Sequence, residues 1–282
     1  MGTSKQFDLK TPLGHQITIT EFPSIGSNDI VVILSATGVL QTYYYKFSQF
    51  LQANNHTVYT FDYSGIGQSK TKPLTQFNTT ISSWATNDIE TVFQHIKKQH
   101  PTKIIKCIGH SLGGQLLGLV PSNKILDTII LVASQTNHYS FWDKFNKVRV
   151  FFNWFVIFPF FTTFFSYFPS KFFIKMENLP KNVAREFSQW SQQKNYYFDL
   201  KSSSELYHHQ ISSKLIGYSC TNDKFAPKRA VDWMMTQYKN AKLIRKHLLP
   251  NDYKVRKIGH FGFFRPHFKN SIWQEFLTDL QT

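Results

Sequence analysis

The sequence predicts a mostly parallel α/β sheet flanked by helices and interrupted by a helical insertion of different composition. Three observations lead there. Short apolar runs alternate with helix-period segments from about residue 30 to 133 and again after about 213. One of those runs leads directly into Gly109-His110-Ser111-Leu112-Gly113, a serine between two glycines at a strand-to-helix junction. Residues 135–206 break the alternation with a phenylalanine-rich stretch.

Taken in chain order, residues 15–22 alternate polar and apolar side chains, as an edge strand does. Residues 30–34 are continuously apolar, the pattern of a strand covered on both faces. Tyr44, Phe47 and Leu51 fall on one side of a helix over 41–52. Residues 57–61 form the next strand and end in the polar, glycine-rich loop 62–69. Trp84, Asp88, Ile89, Val92, Phe93 and Ile96 recur at helical spacing over 84–98, and Pro101 follows that helix's end. The run 103–108 is the strand before Ser111, with Leu116, Leu117 and Val120 on the helix after it. Further strands are expected at 128–132, 213–219 and 243–249, with helices at 228–238 and 270–280. The chain of 282 residues therefore divides into a core, 1–134 with 207–282, and an insertion, 135–206.

The insertion has a character of its own. Residues 150–168 hold nineteen uncharged residues, nine of them phenylalanine. That is close to the length of a membrane span, but Pro159 stands at its middle among Asn153, Thr162, Thr163 and Ser166. Two short helices forming an apolar lid over a pocket are expected instead. Its aromatics, flanked by Lys147, Arg149 and Lys171, also suit peripheral contact with a lipid surface.

Composition narrows the partners. The net charge is +15 and the pI about 9.7. No zinc finger, helix-turn-helix signature or basic block accompanies that charge, so nucleic acid is not an expected partner. Anionic lipid, acidic substrates and a plain lysine-rich bias all accommodate it. Cys107 and Cys220 lie at the ends of strand-like runs and read as small buried apolar residues. The first eight residues lack an apolar signal core, which points to a cytoplasmic protein. Gln6 stands where a myristoylation start after Gly2 needs serine or threonine.

A bare Gly-x-Ser-x-Gly match occurs by chance; its setting between a buried strand and a helix marks a nucleophile elbow, with Ser111 held out over the sheet. The N–H of Leu112 then points at a developing oxyanion. An activated serine needs a base, and the base needs an orienting acid. Asp223 follows the strand ending near Cys220, and His260 follows the last strand, in the order serine, acid, histidine. Either residue alone reads as a loop or cap residue; their joint placement favours catalysis. An acid after residue 132 is the other position such enzymes use, but 134–137 offers none. His110, His138, His208 and His209 have no comparable placement and form no metal set. The loop 35–39 is expected to supply a second oxyanion donor.

These residues resemble the α/β-hydrolase superfamily, serine-hydrolase branch, and are similar to a group of uncharacterised predicted bacterial α/β-hydrolases. The likeness rests on Ala36-Thr37-Gly38-Val39, on the loop Asp62-Tyr63-Ser64-Gly65-Ile66-Gly67-Gln68-Ser69, and on Gly109-His110-Ser111-Leu112-Gly113-Gly114-Gln115. It also rests on Tyr167-Phe168-Pro169, Glu177-Asn178-Leu179-Pro180, Ala226-Pro227-Lys228-Arg229-Ala230-Val231-Asp232 and Ile258-Gly259-His260-Phe261-Gly262. It runs over nearly the whole chain; Ser64 departs from it, since arginine is usual there. The resemblance implies the α/β-hydrolase fold, a mostly parallel central sheet flanked by helices with an inserted helical lid. It also implies hydrolysis of a small-molecule ester, thioester or related acyl substrate with no metal or organic cofactor. The residue after the loop glycine commonly supplies the second N–H, which selects Val39. Two alternatives stand beside an esterase: a small-peptide or amide hydrolase, and a non-catalytic, membrane-associated α/β-hydrolase-like protein.

Overall fold

The computed structural model describes residues 2–173 and 176–281. Ten strands are present among them: β1 (Lys5–Lys10), β2 (Gln16–Phe22), β3 (Asp29–Leu34), β4 (Thr57–Phe61), β5 (Ile104–His110), β6 (Leu126–Val132), β7 (Tyr167–Phe168), β8 (Leu179–Pro180), β9 (Lys214–Cys220) and β10 (Lys242–Leu248). Eight make one sheet in the order β1-β2-β4-β3-β5-β6-β9-β10. β2 runs antiparallel to β1 and β4, and every other pairing in the sheet is parallel. β3, continuously apolar from Ile30 to Leu34, lies inside, fully buried, as a strand with helices on both faces must be.

The edge strand differs from expectation. β1, which the sequence reading did not detect, takes the edge, and β2 lies one place in. Alternation misleads here because Thr18 and Thr20 are buried: their hydroxyls pair with Asp8 Oδ1 (2.7 Å) and Tyr45 Oη (2.8 Å).

The helix expected over 84–98 starts earlier, at a Thr80–Ser83 capping box, and contains a π-helical stretch, Trp84–Ile89. That stretch carries Asp88, which is fully buried and, among the described residues, bonded only to the Ser64 N–H (2.7 Å) and hydroxyl (2.9 Å). Burial pushes its carboxyl up to about 7, with the Ser64 bonds opposing. A second buried charge cluster ties the sheet to the C-terminal helix. Lys106 Nζ reaches Asp29 Oδ2 (2.6 Å) and the Leu280 carbonyl (2.5 Å), and His56 Nδ1 lies 2.7 Å from Asp29 Oδ1.

Between β6 and β9 the chain forms one unbroken helical run instead of two short helices. An α-helix, Lys144–Phe152, passes through a π turn, Asn153–Ile157, into a second α segment, Phe158–Phe164. Pro159 falls in the first turn of that last segment, where the wide π turn relieves the clash a proline makes with the carbonyl four residues back. β7 and β8 pair antiparallel beyond it, and the helix Lys181–Gln192 returns towards the core. Among the described residues no helix is long and apolar enough to cross a membrane.

Candidate active site

Ser111 directly follows β5, the strand between β3 and β6. Its backbone is held at φ 52°, ψ −117°, a conformation costly for any residue but glycine. Its surroundings impose that geometry. The Ser111 N–H donates to the Val132 carbonyl (2.8 Å), and its own carbonyl accepts from Gly114 and Gln115 (both 3.1 Å). The helix behind it packs so closely that a Cβ on Gly113 would lie 2.3 Å from the Leu34 carbonyl oxygen, and one on Gly109 2.5 Å from Gly114 Cα. Only glycine fits at either position.

Asp223 and His260 arrive from loops beyond β9 and β10, and their side chains meet: His260 Nδ1 lies 2.8 Å from Asp223 Oδ2. The other carboxylate oxygen accepts the N–H groups of Phe225 (2.8 Å) and Ala226 (3.0 Å). Burial pushes the Asp223 carboxyl up, but the imidazole and the two N–H donors outweigh it and hold the group below the ordinary aspartate range. Asn222 braces the pair by accepting the Gly259 N–H (2.9 Å). Ser111 and His260 line one cavity of about 310 Å³. Among the described residues no hydrogen bond joins the Ser111 hydroxyl to the imidazole; bonds of that kind commonly tighten only when substrate is bound.

The Leu112 N–H opens the helix after Ser111 and has no acceptor among the described residues. Val39 does not fit the role expected of it. Its N–H is spent in a turn on the Ala36 carbonyl (3.1 Å), and its side chain lines a separate outer cleft with Met176 and Glu177. The turn instead presents Ala36 and Thr37 to the cavity beside Ser111.

Sequence reasoning also set His110 aside, whereas the fold connects it to the site. Its Nε2–H donates to the His260 carbonyl (3.0 Å), so Nδ1 accepts from the Tyr44 hydroxyl (2.8 Å). That hydroxyl in turn accepts the Ala36 N–H (3.0 Å). Burial, with His260 adding to it, pushes the His110 imidazole down to about 3, so it stays neutral. A chain of three hydrogen bonds thus links the loop after β3 to the backbone of His260. The one sequence signal for it is adjacency: as Ser111's neighbour at the end of a strand, His110 must point away from it.

The roof of the cavity comes from the segment between β6 and β9. Arg149, Val150, Asn153, Trp154, Ile157 and Phe158 form one stripe of the helical run facing inward, joined by Phe168, Phe173 and Phe187. Arg149 Nε, Trp154 Nε1 and Gln135 Oε1 are buried there without a hydrogen-bond partner among the described residues. Arg149 and Lys224 are the charged residues of the lining, and no carboxylate contributes to it among the described residues. The five acids of the segment are engaged elsewhere: Asp143 with Arg229 (2.8 Å), Glu177 with Lys171 (2.7 Å), Glu186 with the Ser82 N–H (2.8 Å), Asp199 with Asn195 and Glu205 with Ser202.

Strand order, the strained turn after the central strand and the loops that follow it define an α/β-hydrolase fold. The chain belongs to the family described as serine aminopeptidase, S33, whose profile matches residues 27–216, about two thirds of its length. It is thus a member of a hydrolase family. No curated protein matches the sequence. Among solved structures, the chain is similar to DcsB in complex with a substrate analogue, at 11% identity and a TM-score of 0.68, with 99% of each chain covered. It is similar to an esterase of Pyrococcus furiosus at 16% identity and a TM-score of 0.62, covering 99% of this chain and 91% of that one. A thermophilic esterase of Thermogutta terrifontis with malate bound gives 14% identity and a TM-score of 0.61, with 98% of each chain covered. At these identities the likeness is one of fold.

Proposed function

We propose that the protein is a serine hydrolase that cleaves carboxylic esters or thioesters through an acyl-enzyme. Ser111 is the nucleophile, His260 the general base and Asp223 its orienting acid. The observation that carries this reading is the 2.8 Å His260–Asp223 contact at the edge of a cavity that Ser111 also lines. The Asp223 carboxylate keeps the proton on Nδ1, leaving Nε2 free to take the Ser111 proton as Oγ attacks the acyl carbon. The oxyanion then accepts from the Leu112 N–H and, on the cavity side of the 36–39 turn, from Thr37. Each such donor is worth roughly a hundred- to a thousandfold in rate. His260 returns its proton to the leaving group, and water releases the acyl group by the reverse sequence.

An apolar acyl or aromatic substrate group is supported by the roof, a lid of tryptophan, phenylalanine and isoleucine side chains. The orphaned Arg149, Trp154 and Gln135 atoms offer partners to the polar oxygens of such a substrate. The family description favours a second reading, release of an N-terminal residue from a small peptide. That reaction calls for a carboxylate beside the substrate's ammonium group, and the lining brings Arg149 and Lys224 instead. Esters are therefore preferred to peptides. The test is turnover of a p-nitrophenyl ester series and of an aminoacyl-p-nitroanilide. Ester turnover abolished by Ser111→Ala with the fold intact is expected; ester turnover surviving that change, or preference for the anilide, contradicts the proposal.

A further inference from the structure

The helical run 144–164 is apolar on both sides, which a surface helix of an isolated protein ordinarily is not. Its inner stripe roofs the cavity. Its outer stripe is bare: Phe145, Phe152, Phe160 and Phe164 are 78, 52, 50 and 71% exposed, and the adjoining Phe172 is 85% exposed. Val148 and Val156 fill the gaps between them, at 52 and 47%. A contiguous patch of this kind marks a surface that meets something apolar.

Charge selects the occupant. Lys144 and Lys147 stand exposed on the run beside these phenylalanines, while Arg149 lines the cavity and Lys171 is paired with Glu177. A second copy of a chain with net charge +15 would bring two such cationic faces together. An anionic bilayer offers apolar depth and opposite charge at once. A helix lying in the plane of the interface, with aromatics down and lysines at headgroup level, meets both.

We propose that this outer face docks the protein on an anionic membrane surface, so that the substrate cavity is entered from the lipid side. This deepens the ester-hydrolase reading by naming the partner of the same lid. The docking itself needs no chemistry, so it can be tested separately from catalysis. The geometry supplies the route: residues three to four apart share a face, so Val150, Trp154 and Ile157 line the cavity while Phe145, Phe152 and Phe160 of the same run face outward, and Phe225, 42% exposed, and Lys224 stand where the cavity lining meets solvent.

The test is co-sedimentation of the full-length Ser111→Ala protein with phosphatidylcholine vesicles, with and without phosphatidylglycerol. Binding is expected to the anionic vesicles, weakened by high salt. The Phe145→Ser/Phe152→Ser/Phe164→Ser/Phe172→Ser protein, altered only outside the cavity, should bind at least about tenfold more weakly. With Ser111 restored, it should hydrolyse a water-soluble short-chain ester at the parental rate. Lys144→Glu/Lys147→Glu should abolish the preference for anionic vesicles, an independent readout should the fourfold variant fold poorly. Absence of vesicle binding overturns the proposal, as does binding by both variants as tight as that of the parent. A concentration-dependent dimer that the four serines dissociate, without vesicle binding, also overturns it and assigns the face to a second copy. Loss of ester turnover in the parent with vesicle binding retained would remove the hydrolase reading and leave the docking.

Discussion

Asp88 gives a prediction whose size can be worked out. Replacing it with asparagine keeps both bonds to Ser64, since the amide oxygen can accept the Ser64 N–H and the amide NH2 can donate to the hydroxyl, but it removes the titration. In the folded protein burial raises the carboxyl from 3.8 to about 7. The native state therefore holds a proton that the unfolded chain has released, and stability falls as pH rises between those values. With roughly 1.4 kcal/mol per pKa unit, the wild type should lose about 2–3 kcal/mol of stability through this one group between about pH 5 and about pH 8. The loss levels off above the folded value, where both states are ionised. Urea unfolding of the wild type and Asp88→Asn at both pH values measures the difference of differences. The asparagine protein should lack that decline. Equal pH dependence in the two proteins would contradict a protonated Asp88 and place an unseen cation or water network beside it.

Three further outcomes follow from the same geometry. Asp223→Asn should preserve the fold, but an amide NH2 facing His260 Nδ1 moves the ring proton to Nε2, so kcat should fall about ten thousandfold; pre-steady-state ester turnover measures it. Gly113→Ala, whose Cβ would press on the Leu34 carbonyl, should cost about 1–3 kcal/mol of stability and distort the elbow enough to lower kcat more than KM. Lys106→Met would strip Asp29 of its ammonium partner, leaving His56 and the Ser27 hydroxyl, and should cost about 3–5 kcal/mol in urea unfolding, a penalty that shrinks as acid protonates Asp29. The sign of that last trend follows from Asp29 itself. Burial pushes its carboxyl up, but His56 and Lys106 outweigh it and hold it below its ordinary value, so the stabilisation is present at neutral pH and lost on acidification.

Much of the fold is legible in the sequence because fully buried parallel strands leave continuous apolar runs, as at 30–34 and 128–132. β1 is missed because its edge position leaves the mixed string Lys5–Lys10, four of its six residues exposed, with no run to detect. The inserted helix is misjudged at Pro159, since a proline reads as a break unless a π turn ahead of it accommodates the ring. At the site, Asp223 and His260 are visible from order and from their places after strands, and their side chains do meet. Val39 follows from family habit, and the habit does not carry over because a turn closing on Ala36 takes up its N–H. The support from Tyr44 and His110 depends on contacts between positions 66 and 150 residues apart, which no local pattern encodes. Ser64, the one departure noted from related sequences, lies against Asp88; without a cation there, burial outweighs the two Ser64 bonds and raises that carboxyl.

The central claim is that Ser111 is an activated nucleophile. Its most direct test is covalent labelling of the folded protein with a fluorophosphonate, followed by peptide mass spectrometry. A single adduct on Ser111, lost in Ser111→Ala and strongly slowed in His260→Ala, is the predicted result. No adduct on folded protein, or an adduct on another residue that persists in Ser111→Ala, would contradict it.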